Sequence, residues 1–133
     1  VKIQTVKADS QQPLVNNLIY NLQQQDLQHF KLALSTSEGV FLYDTGEIIL
    51  LEGSSNYTKF YFSNNRIQVV SKTLKEYEDI LAGHRFLRVH KSYLVNRSQV
   101  IKVDREGVLE LSNGMFIPVS RRRKAEILQW FNR

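Results

Sequence analysis

The chain has 133 residues, no cysteine, 42% hydrophobic and 23% charged residues, and a formal net charge of +5. That length is one domain's worth with room for a sizeable core, and the composition is that of an ordinary globular protein rather than a disordered one. Disulfide frameworks, thiolate metal sites and cysteine nucleophiles are excluded; no apolar run reaches the roughly 18 residues of a membrane helix, and no signal peptide opens the chain. A reducing cytoplasm is the expected setting. Because the first residue is Val1, a longer protein with a segment ahead of this one is expected.

Residues 1–29 are polar and rich in Gln and Asn. Leu14, Val15, Leu18, Ile19 and Leu22 recur at helical spacing behind Pro13, which a first helical turn tolerates. One amphipathic helix of this length is marginal alone, so residues 1–29 are expected to be a linker segment and 30–133 the domain proper.

From Phe30 the period changes to two. Short runs rich in β-branched and aromatic residues follow at Phe30–Leu34, Val40–Tyr43, Ile48–Leu51, Tyr57–Phe62 and Ile67–Val70. Between them lie the turn residues Glu38-Gly39, Asp44-Thr-Gly46, Gly53-Ser-Ser-Asn56 and Asn64-Asn65. Thr73-Leu-Lys-Glu76 has the pattern of a capping box, opening a short helix to about Leu81 that Gly83 can end. Further strands are predicted near Phe86–Val89, Tyr93–Val95, Val100–Val103, Val108–Leu111 and Met115–Val119, with a hairpin turn at Asn113-Gly114. Ser120 then caps a last helix carrying Ile127, Leu128 and Phe131 inward. The expected fold is mostly β with two short helices.

Charge is concentrated. Arg85, Arg88, Lys91, Arg97, Lys102 and Arg105 face one acid, Asp104, within 85–105, and Arg121, Arg122, Arg123 and Lys124 follow; these ten are over half of the 18 basic residues. Such clustering points to a polyanion as partner, most commonly nucleic acid. Four cations at a helix N-terminus oppose the local dipole, so a factor other than helix stability must keep them. The bland alternatives are solvated helix and edge-strand faces. Tyr57, Phe86, Val89, Tyr93 and Leu94 read as core residues rather than stacking aromatics. Asn96 could cap a turn, His90 could orient neighbouring backbone, and Arg88 could pair with an acid across the sheet.

Catalysis finds no support. His29, His84 and His90 are scattered without metal-ligand spacing, and neither a nucleophile elbow nor a Gly-rich phosphate loop is present. No enzyme, metal site or cofactor is expected.

Thr73-Leu-Lys-Glu-Tyr-Glu78, His84 to Asn96 and Ile117 to Lys124, together with Leu34–Gly39 and Ile49–Thr58, resemble the LytTR family, the DNA-binding output domains of bacterial LytR/AlgR-type response regulators. The resemblance extends from about Lys31 to Phe131. It implies about ten strands in small antiparallel sheets, with loops at one edge entering successive major grooves. The residues it aligns with DNA contacts are Asn56, Thr58 and Lys59; His90, Lys91 and Ser92; and Arg121, with Arg122, Arg123 and Lys124 on phosphates. Lys91 departs from members with a neutral amide there, which leaves guanine or a phosphate as its target. The resemblance further implies double-stranded promoter repeats as partner, a receiver domain ahead of Val1 (or, alternatively, a membrane segment), a cognate sensor histidine kinase, and a dimer on DNA. The rivals are a protein–protein module with an incidental basic surface, and an RNA binder using Tyr57, Tyr61 and Tyr93.

Overall fold

A computed structural model describes residues 30–132; the amphipathic helix and linker expected within 1–29 lie outside them. The chain divides into two compact units at Glu47/Ile48. In the first, β1 (Lys31–Thr36) and β2 (Gly39–Asp44) form an antiparallel hairpin, in register from Lys31 opposite Asp44 to Thr36 opposite Gly39. The Thr36 hydroxyl donates to the Gly39 carbonyl and accepts the Glu38 N–H, tying the tight turn. Lys31 Nζ meets Asp44 Oδ1 at 2.8 Å at the open end. A 3-10 turn over Thr45–Glu47 follows.

The second unit holds a five-stranded antiparallel sheet of β3 (Ile48–Gly53), β4 (Thr58–Phe62), β5 (Ile67–Val70), β6 (Phe86–His90) and β7 (Tyr93–Asn96), in the order β5-β4-β3-β7-β6. β3 is central, and its apolar run Ile48–Leu51 is buried throughout because both sheet faces are covered. Register sorts the faces. Leu50 opposes Tyr61 and Val95, and these look onto a core with Ile49, Val89, Leu109, Leu111, Ile117 and Ile127. Leu51 opposes Phe60 and Leu94 on the other face, where Phe60 meets Tyr77 of the first helix edge-to-face at 4.9 Å.

That helix, α1 (Leu74–Ile80), begins at Thr73 with both halves of the capping box in place. The Thr73 N–H bond to the Glu76 carboxylate holds that carboxyl below its ordinary range. Gly53 lies so near α1 that a Cβ there would sit 2.8 Å from Leu74 Cβ, so close strand–helix approach demands glycine.

The remaining strands, β8 (Val100–Val103), β9 (Val108–Leu111) and β10 (Phe116–Pro118), form a three-stranded antiparallel sheet in the order β10-β9-β8. Gly114, at φ 87°, makes the β9–β10 turn. The closing helix α2 (Arg121–Phe131) buries Ile127 in the shared core, with Phe131 packed against it. Ser120 stands at the N-cap, but its hydroxyl makes no capping bond; its N–H instead donates to the Val89 carbonyl at 2.9 Å.

Candidate nucleic-acid interface

Three basic or polar segments meet at one end of the five-stranded sheet, and backbone bonds fix them there. The β3–β4 turn is closed by the Ser54 N–H to the Tyr57 carbonyl (2.9 Å), and the Gly53 N–H reaches the Ser92 carbonyl at 2.8 Å, joining it to the β6–β7 turn. The Ser120 bond to Val89 brings the start of α2 to β6. Arg123 Nη1 adds a bond to the Arg88 carbonyl at 3.1 Å, and the Lys124 stem lies 3.4 Å from where a Gly107 Cβ would be. Neighbouring strands are spaced by about 4.8 Å, so the row from β4 across β3 and β7 to β6 spans about 14 Å, comparable with a major groove.

The turn tip Ser54–Asn56 is exposed. Lys59 points to the same face as Glu52, its cross-strand partner, and sits 5.9 Å from the Tyr61 ring. The Tyr61 hydroxyl donates to Glu52 Oε1 at 2.7 Å, and burial with the neighbouring carboxylate raises the phenol pKa. Glu52, Gly53, Ser54, Tyr57 and Lys59 line a shallow depression of about 160 Å³.

Thr58 requires a correction. Its side chain is 0% exposed, and its hydroxyl donates to the Lys72 carbonyl at 2.7 Å. It therefore joins β4 to the segment leading into α1 and cannot reach a duplex. Thr58→Val should lower unfolding stability by about 1–2 kcal/mol through the unpaired Lys72 carbonyl and leave duplex affinity as in the wild type; denaturant melts and a binding titration check both. Tyr57 departs from expectation in the opposite sense: β4 starts at Thr58, and Tyr57 is 40% exposed in the turn.

In the β6–β7 turn, His90 Nδ1 accepts the Ser92 N–H at 3.1 Å, and its ring lies 5.5 Å from that of Tyr93. A neutral imidazole with Nδ1 accepting carries its proton on Nε2, which leaves that N–H as the donor His90 can offer. Lys91 is exposed, and Ser92 is half-buried. At the start of α2, Arg121 and Arg122 are exposed, whereas Arg123 and Lys124 are half-buried by their contacts with β6 and Gly107. Lys91, Arg121 and Arg122 have no ion pair among the described residues, as expected of cations kept for an outside anion.

The structure gives Arg88 and Arg123 contacts that the sequence does not indicate. Arg88 pairs with Glu78 of α1, not with an acid across the sheet, and also binds the carbonyls of His90 and Lys91. Arg123 acts as a clamp between α2 and β6. Asn96 is buried and structural: Oδ1 accepts the Ser98 N–H, capping a 3-10 turn, while Nδ2 donates to the Ile48 carbonyl at 2.8 Å. Among the described residues no group of acids and histidines could hold a metal ion.

A sheet end whose fixed turns carry cations without an ion pair among the described residues has the character of an anion-binding surface, and comparison with known proteins narrows the class. The family model described as LytTr DNA-binding domain matches residues 38–132. The sensory transduction protein LytT of Bacillus subtilis is 35% identical over 107 residues, covering 75% of this chain and 42% of that protein. Its namesake from Oceanobacillus iheyensis is 33% identical over 66 residues, covering 50% and 27%. A solved LytTr DNA-binding domain from Bacillus cereus superposes with a TM-score of 0.62 at 22% identity, covering 75% of this chain and 94% of that one, a likeness of fold. The chain belongs to the LytTR family of DNA-binding domains. It spans less than half the length of these two curated relatives.

Proposed function

We propose that this domain reads specific sites in double-stranded DNA with the sheet end described above, as the output part of a cytoplasmic two-component regulator of transcription. The observation that carries the reading is the gathering of Lys91, Arg121 and Arg122, exposed and without an ion pair among the described residues, with the exposed Asn56 turn along one row of hydrogen-bonded segments. Arg121, Lys91 and Asn56 read base edges, with the His90 Nε2–H as a further donor and Ser92 holding the turn. Arg122, Lys124 and Lys59 bind phosphates, joined by the donors Arg123 has beyond its bond to β6.

An arginine fork on guanine discriminates by about 1–3 kcal/mol. Four to six phosphate contacts predict that log affinity falls against log salt with a slope of about −4 to −5. Lys124→Ala should weaken all sequences alike and make that slope about one unit shallower; a changed sequence preference would contradict a phosphate role. One domain covers limited surface, so affinity rises when two copies occupy repeated half-sites. A receiver domain ahead of Val1, phosphorylated by a sensor histidine kinase, would pair the copies.

Selection of bound duplexes from a random pool tests the reading: a direct-repeat consensus at about one-turn spacing is expected. Enrichment of no sequence, or of RNA in a parallel selection, would oppose it and favour a protein-binding or RNA-binding surface.

A further inference from the structure

We propose that Arg88 is the positioning residue of the reading end: its guanidinium, braced by Glu78, locks the backbone of the β6–β7 turn in the shape that presents His90 and Lys91 to DNA. This inference rests on the reading of that turn as a duplex contact.

All three guanidinium nitrogens of Arg88 are engaged. Nε donates to the His90 carbonyl at 2.9 Å, Nη2 to the Lys91 carbonyl at 2.6 Å, and Nη1 to Glu78 Oε1 at 2.8 Å. The side chain is only 15% exposed, so its charge is turned away from any duplex. The register of β6 against β7 shifts between Arg88 and His90. An irregularity of that kind redirects side chains and leaves ladder carbonyls in want of donors; Arg88 supplies donors to two successive carbonyls. A planar fork can satisfy this set at once, whereas a lysine ammonium is a compact point donor.

The same residue reaches the second reading segment, because its own carbonyl accepts Arg123 of α2. Arg88 thus links α1, the β6–β7 turn and the N-terminal turn of α2. Holding a recognition turn in its bound shape removes an ordering cost from association. The clamp should therefore act on discrimination between sites rather than on the salt-dependent phosphate contribution.

The test uses Arg88→Lys, which keeps the charge, and Glu78→Gln, which keeps an acceptor but weakens the brace. In the free protein, Arg88→Lys should speed hydrogen exchange at the Ser92 amide, which donates to His90, by about tenfold or more. Affinity for the selected duplex should fall about tenfold while affinity for an unrelated duplex and the salt slope stay as in the wild type. Glu78→Gln should shift the same ratio in the same direction by less, and it carries the test should Arg88→Lys fail to fold. An unchanged ratio of specific to unrelated binding would overturn the proposal. So would a uniform loss with a slope about one unit shallower, the mark of a direct phosphate contact. If the wild-type protein itself does not discriminate between duplexes, the DNA reading of the turn falls. If it does and Arg88→Lys retains full discrimination, the clamp falls alone.

Discussion

Arg121→Ala is expected to weaken binding to the selected duplex by about tenfold or more, the loss that about 1.4 kcal/mol of base contact represents, with the melting temperature nearly unchanged. The first half follows from placement: Arg121 opens α2 beside the Val89–Ser120 bond that fixes the helix to β6. The second half follows from exposure, since Arg121 is solvent-facing and without an ion pair among the described residues. Removing a cation from a helix N-terminus also relieves an unfavourable charge–dipole interaction, so folding should if anything gain slightly. Calorimetry with fluorescence titration checks both halves, and an equal fall in stability would make Arg121 structural.

Asn96→Asp should produce the largest loss of stability, about 3–5 kcal/mol at neutral pH, or a melting temperature lower by roughly 15 °C or more. The wild-type amide donates to the buried Ile48 carbonyl and accepts from Ser98. A carboxylate keeps the second bond, but it sets an ionised oxygen against the carbonyl in a site only 3% exposed. Desolvation and that repulsion raise the folded-state pKa of the introduced carboxyl above its unfolded value. The folded state then binds the extra proton, so the variant is closest to wild type below the unfolded carboxyl pKa and loses stability as pH rises through the folded one. Melts of both proteins from acid to neutral pH check the sign; a deficit that shrinks as pH rises would contradict it.

Much of the fold was legible because its signals are local. Alternation marked the strands, Thr73-Leu-Lys-Glu76 marked α1, and the three basic or polar segments fell where the structure puts the ends of β3, β6 and β10. Thr58 shows a signal that was present but unused: it shares strand parity with Phe60 and Phe62, both buried, so its inward direction followed from alternation. Tyr57 was harder, because whether a residue begins a strand or ends a turn depends on pairing with β3. The role of Arg88 was illegible. Glu78 lies ten positions away on a helix, and the other two acceptors are backbone carbonyls that have no sequence signature. Arg123 looked like its neighbours because nothing in a run of four cations says which of them will meet β6.

The most direct test of the central claim is an amide NMR titration of the protein with its selected duplex. Perturbation concentrated together in 53–59, 90–92 and 121–124, saturating with the duplex and weakening with salt, is the predicted result. Perturbation centred instead on the exposed Ile101 and Phe116 of the three-stranded sheet, with those three segments silent, would contradict it.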